Sequence, residues 1–138
     1  MSRILLLFVG GGEGTPPDYY SGEIGEQEDT IVVVIFNEPI VSALDDYAAG
    51  VTIKADSVTQ AISAAVRQGD SQTVFYTIPQ VAGTSVVTWQ YSDALGDIAD
   101  LAGNQLGDVT AQTALNTINT RWWFNRAQDS SHILTCGL

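Results

Sequence analysis

The chain has 138 residues, enough for one domain that buries roughly two-thirds of its unfolded surface without help from a metal or disulfide. Sixteen acidic side chains against five basic ones give a net charge of −11, which repels phosphate backbones and argues against nucleic-acid binding. A single cysteine, Cys136, excludes an internal disulfide and any cysteine-rich metal site. Charged residues make up 15% of the chain, against about 25% in an ordinary soluble domain. Thr, Ser, Gly, Gln and Asn take their place, a surface composition common among extracellular and virion β proteins.

The chain opens with Ile4, Leu5, Leu6, Leu7, Phe8 and Val9. This apolar run is shorter than a secretory signal core and is followed by no small-residue cleavage site, so a processed signal is not expected. It is far below the roughly 20 residues of a membrane span. Each large apolar side chain left in water would cost about 1.5–3 kcal/mol, so the run is read as a strand that pairs with something. Either it adds to a sheet edge of a neighbouring subunit, or it is a first strand of the same domain. Residues 10–14 are glycine-rich and Pro16 and Pro17 are stiff, so residues 1–17 form an arm and linker separable from the body.

The body follows as short strands. Residues 19–24 make a first strand. Residues 30–36 are an apolar, β-branched run expected at the centre of a sheet and buried on both faces; Asn37-Glu38-Pro39 ends it. Residues 42–50 are expected to be a loop with a helical turn, closed by Gly50. Residues 51–55 alternate as a half-buried strand, Asp56-Ser57 is a turn, and residues 58–67 hold one or two further strands. Gln68-Gly69-Asp70-Ser71 is a hairpin loop before the alternating strand 73–78. Residues 85–91 place Val87, Trp89 and Tyr91 on one face. Residues 93–108, rich in Asp, Gly and Asn, are expected to be all loop, and residues 109–118 form the last strand. Seven or eight short strands with regular turn signals define an all-β chain. The expected fold is an immunoglobulin-like antiparallel β-sandwich with Greek-key connections over residues 18–118, flanked by extended N- and C-terminal segments.

The tail, residues 119–138, carries the densest aromatic cluster. Trp122, Trp123 and Phe124 stand between Arg121 and Arg126. Aromatic side chains beside arginine are the composition of interface hot spots, and the sandwich is complete before they begin. They are read as a docking segment, with capping of the sandwich as the alternative.

Two phrases carry a family resemblance. Phe36-Asn37-Glu38-Pro39 is followed by Val51-Thr52-Ile53. Tyr91-Ser92-Asp93 leads into Asp97, Asp100, Ala102, Gly103 and Asn104. In these features the chain resembles bacterial immunoglobulin-like domains of the Big_5/SwmB type, found in surface proteins and phage structural proteins. The resemblance covers most of the chain and implies the sandwich fold without a shared enzymatic activity. The apolar arm, the tryptophan-rich tail and the lack of a tandem array depart from the usual setting and are similar to small phage virion proteins.

Residues with catalytic potential are scattered. His132 could group with Asp129 and Cys136, but no nucleophile elbow is present. No pair of carboxylates is singled out for glycoside hydrolysis. The spacing of Asp97, Asp100 and Asn104 would wrap a calcium ion, whereas Asp, Asn and Gly equally make metal-free turns. The expectation is a non-enzymatic structural virion protein, such as a capsid decoration protein, a head fibre or a tail-associated subunit. It would assemble in the host cytoplasm as a homo-oligomer and dock on capsid or tail proteins of a phage particle through arm and tail, with no required cofactor. The alternative is a bacterial cell-surface adhesin that binds carbohydrate or protein through the aspartate loop, with calcium as its ion.

Overall fold

The computed structural model describes residues 15–118. The arm at residues 4–9 and the tail cluster at residues 121–126 lie outside the described residues, as do the extended terminal segments expected around the sandwich. Ten strands are present among the described residues: β1 (Tyr19–Ile24), β2 (Ile31–Phe36), β3 (Ile40–Ser42), β4 (Val51–Ala55), β5 (Val58–Gln60), β6 (Ala64–Arg67), β7 (Thr73–Thr77), β8 (Val87–Tyr91), β9 (Ile98–Asp100) and β10 (Val109–Asn116).

Eight of them hydrogen-bond in the order β5-β4-β8-β10-β1-β2-β7-β6. The sheet curls at the β1–β10 junction, so its two halves face one another. One half is β1-β2-β7-β6 and the other is β5-β4-β8-β10. Leaving β3 and β9 aside and lettering the rest in chain order, the halves read A-B-E-D and C′-C-F-G, the strand order of an immunoglobulin-like sandwich. All pairs in the large sheet are antiparallel except β1 with β10, which run parallel through Glu23↔Leu115 and Ile24↔Asn116.

Alternation places the core. In β8, Val87, Trp89 and Tyr91 point inward while Thr88 and Gln90 are half-buried. In β2, Val32, Val34 and Phe36 join the core; on the opposite face Val33 is buried while Ile31 and Ile35 are half-buried, so the burial expected on both faces is only partial there. Trp89 ties the halves together. Its ring meets Phe36 of β2 at 5.9 Å and Tyr76 of β7 at 6.3 Å, both edge-on, and stacks on Tyr19 of β1 at 5.4 Å. Immunoglobulin domains of antibodies carry their core tryptophan on the C strand; here it sits on F.

The turns follow local chemistry. Asp56 and Ser57 both have positive φ, at 51° and 70°, which defines the two-residue type I′ hairpin between β4 and β5. At the β6–β7 hairpin the Asp70 carboxylate accepts from Gln72 N, Thr73 N and the Thr73 hydroxyl. That hydroxyl bond leads the causes that hold its pKa below the ordinary value.

Three expectations change. Residues 42–50 form turns, with Asp45 N donating to Ser42 O and Val51 N to Ala48 O, and no helical turn: Asp45 takes a positive φ of 54° and breaks the run. Residues 93–108 are not all loop, because Ile98–Asp100 pairs with Ile40–Ser42 as a second, two-stranded sheet. The strand count therefore rises to ten. Both added strands have three residues, too few for alternation to register.

Candidate functional site

Two places on the domain concentrate polar chemistry or exposed apolar surface: the β3–β9 corner, where the two family-like phrases meet, and the β1–β10 seam.

The corner begins with strand pairing. Ile40 faces Asp100 and Ser42 faces Ile98 across the small sheet, and Ile40, Ile98 and Leu106 anchor it in the core. The Asp97 carboxylate is divided between Ser42, whose hydroxyl donates at 2.6 Å, and Leu44, whose backbone N–H donates at 2.9 Å. Ser42 Oγ in turn accepts from Asp46 N, and Asp46 accepts from Ala48 N and Ala49 N. Asp97 thus fastens the 42–50 loop onto the 93–108 segment. The fit is tight: a Cβ at Gly96 would sit 2.5 Å from the Ala49 carbonyl and from the Tyr91 hydroxyl. That hydroxyl accepts from Ile98 N at 3.1 Å.

Asp100 serves a different set of donors. Its Oδ1 accepts from Ala102 N at 2.9 Å and Asn104 N at 2.8 Å, and its Oδ2 from Asn104 Nδ2 at 2.9 Å. Gly103 takes a φ of 95° at the tip of this turn, a conformation glycine adopts without strain. Asp97 and Asp100 therefore do not converge. Asp100 and Asn104 do, but as acceptor and donor of one Asx-type turn. Among the described residues no three His, Cys, Asp or Glu side chains group to hold a metal ion.

Glu38 was not singled out as a site residue by sequence, yet it completes the corner. It is 7% exposed and Asp100 is 3% exposed. Its Oε2 is buried without a hydrogen-bond partner. Burial raises the Glu38 pKa, and the nearby Asp100 carboxylate raises it further. The signal was present in the sequence as the two phrases around Glu38 and Asp100, but nothing in their spacing said that they meet. At the neck of the loop Asp93 N donates to Asp108 Oδ1 at 2.8 Å. A hydrogen bond between the two side chains, then their like charge, raises the Asp93 pKa.

The seam is of another kind. β1 and β10 pair over two residues and diverge ahead of them. Between them runs a groove of about 530 Å³ lined by residues 19–22, 85–86 and 113–116, none of them charged. Tyr20 is 73% exposed, Leu115 65% and Val86 56%. The floor is Tyr19, stacked on Trp89, whose phenol pKa is raised by burial. Sequence reading missed this groove. Its one legible trace is that residues 109–118 carry no charge in so acidic a chain.

Comparison with known proteins finds no matching family model, no similar curated protein and no similar solved structure.

Proposed function

We propose that the protein is a non-enzymatic structural module of a phage virion, a capsid decoration, head-fibre or tail-associated subunit that acts by association. The observation that carries this reading is the contrast at the surface. The chain bears a net charge of −11, yet among the described residues it leaves an uncharged groove flanked by exposed Tyr20, Val86 and Leu115. Acidic surface keeps copies soluble and apart, and an uncharged apolar strip within it favours one mode of contact. The resemblance to immunoglobulin-like domains of surface and phage structural proteins supports the same reading, as do the apolar arm and the Arg-flanked aromatic tail in the sequence.

The adhesin reading, in which the aspartate loop binds ligand at a bacterial surface, finds less support. The carboxylates of Asp97 and Asp100 are spent on hydrogen bonds that hold the corner together.

Deletion separates the two. Removing residues 1–12 or 121–138 is expected to abolish self-association, or incorporation into the particle, and leave the melting transition of the sandwich in place. Retained assembly after both deletions would refute the reading. So would a coding sequence set among secretion-linked repeat proteins in place of capsid or tail genes.

A further inference from the structure

We infer that the β3–β9 corner is the docking face for residues 121–126 of a second copy of this chain, so that copies join head to tail. The inference rests on the association reading above and names one contact through which it would act.

The face is built from loops that lie at one end of the sandwich. Residues 37–50 leave β2 at Phe36, which pairs with Tyr19. Residues 92–108 leave β8 at Tyr91, which pairs with Val51 and Val109. Asp97 fastens the two loops to each other through Ser42 and Leu44. Three of the four most exposed large apolar side chains among the described residues stand on them: Leu44, Leu95 and Leu101. Single exposed leucines are ordinary, but these three sit on turns joined by one small sheet. Each has a carboxylate near it in the chain: Asp45 after Leu44, Asp93 two places before Leu95, Asp100 before Leu101. The loops hold seven carboxylates, three in the first and four in the second, and no lysine or arginine. Asp97 and Asp100 are engaged within the corner. The leucines, Asp45 and Asp93 are exposed to a partner.

The complement to such a face is apolar and basic at once. Trp122, Trp123 and Phe124 have that character, with Arg121 on one side and Arg126 on the other, the composition of interface hot spots. The arm starts at the corner's own end, because Asn37 N donates to Asp18 O. It brings Arg3 alone ahead of the six uncharged residues 4–9, a poorer match to seven carboxylates.

Length assigns the tail to a second copy. β10 starts at the corner, where Val109 faces Tyr91, and runs to the opposite end, where Thr117 N donates to Ile24 O. Val109 to Asn116 spans about 23 Å at ~3.3 Å per residue, and the leucine loops lie beyond Val109. From Ile118, Trp122 reaches at most about 14 Å and Phe124 about 21 Å at ~3.5 Å per residue. The aromatic cluster therefore falls short of its own corner even when fully extended and spared a reversal. The contact is heterologous: each copy gives its tail to one neighbour and its corner to another. Six docked residues fall well below the roughly 1,200 Å² of a stable interface, so the arm and the seam supply the rest of the association.

The test uses full-length chains in which Cys136→Ser removes the native thiol. One carries Asn125→Cys in the tail and a second Ala94→Cys beside Leu95. Mixed and oxidised, they are expected to give several-fold more N125C–A94C disulfide, read by mass spectrometry, than either homodisulfide. Leu44→Ser with Leu95→Ser in the corner chain should reduce that yield several-fold; all these corner positions are exposed, so the chain should still fold. Arg121→Glu with Arg126→Glu in the tail chain should reduce it as well, and Asp93→Lys in the corner chain should restore part of it. A yield indifferent to these changes overturns the inference. So does a disulfide confined within a single chain that carries both cysteines, or a chain with Leu7→Cys and Ala94→Cys that closes on itself, which would place the arm on the corner. Sedimentation of the cysteine-free chain separates the failures. An oligomer without the crosslink sinks the corner contact and leaves the association reading standing; a monomer without it sinks both.

Discussion

The β3–β9 corner and the β1–β10 seam use opposite means. At the corner, polar groups are turned inward and matched to local donors: Asp97 to Ser42 and Leu44, Asp100 to its own turn. At the seam, an uncharged groove is flanked by exposed Tyr20, Val86 and Leu115, and among the described residues β1 covers β10 at two positions alone; exposed apolar side chains are not peculiar to it, since Leu44, Leu95 and Leu101 on the corner's loops are exposed as well. Charge density alone would have pointed to Asp97 and Asp100 as the working groups. Hydrogen-bond accounting reverses that. A carboxylate that already accepts two or three protein hydrogen bonds holds structure.

The contrast can be broken from either side, and the largest effect belongs to the core that both regions share. Trp89→Ala removes the ring that joins the two halves of the sheet. It should cost about 3–5 kcal/mol in urea unfolding, and in hydrogen exchange it should loosen β1 along with β8. A loss under 1 kcal/mol would mean that the halves do not depend on one another through this ring.

At the corner, Asp100→Ala strands two backbone N–H groups and the Asn104 amide. The expected cost is about 2–3 kcal/mol, with lost amide protection at Ala102 and Asn104 and little change at β5. Added calcium or chelator should leave the wild-type melting temperature unmoved if Asp97, Asp100 and Asn104 are structural. A calcium-dependent rise that Asp97→Asn abolishes would restore the ion reading.

Glu38 provides a pH test with a definite sign. Its folded pKa lies above its unfolded value because of burial first and Asp100 second. Between those two values the native state holds a proton that the unfolded chain has released. Its contribution to stability is therefore complete below the unfolded pKa and is lost as pH rises through the folded one. Glu38→Gln should remove this slope and stabilise the domain at neutral pH by on the order of 1 kcal/mol, the scale for an unsatisfied buried polar group. A variant that follows the wild-type pH curve would show that Glu38 finds a partner in solution.

The smallest effect on folding is expected at the seam. Leu115→Lys is an exposed substitution and should shift stability by less than about 0.5 kcal/mol, yet weaken self-association strongly. If it unfolds the domain, the groove belongs to the core and not to an interface.

The larger part of the fold was legible because alternation is a local signal. β8 reads Val-Thr-Trp-Gln-Tyr, and its inward face is the one observed; β2 reads as buried on both faces, and its second face is buried at Val33 but only half-buried at Ile31 and Ile35. β3 and β9 escaped because three residues carry no period. Ile98 and Leu106, both buried, were nevertheless apolar landmarks within an acidic stretch. What joins distant parts was not legible. The approach of Glu38 to Asp100, and the parallel pairing of Glu23 with Leu115, depend on how the sheet curls. That curl brings β1, β2 and β7 against Trp89 of β8, contacts between residues far apart in the chain that no short run encodes. Of the site residues expected from sequence, Asp97, Asp100 and Asn104 serve the corner's own structure, and the arm and tail clusters lie outside the described residues.

Sedimentation velocity of the intact chain beside a chain lacking residues 1–12 tests the central claim, that this domain works by association, most directly. The account predicts a defined oligomer for the intact chain and a folded monomer with an unchanged melting temperature for the shortened one. An intact chain that stays monomeric as its concentration is raised, with no particle protein bound, would contradict it.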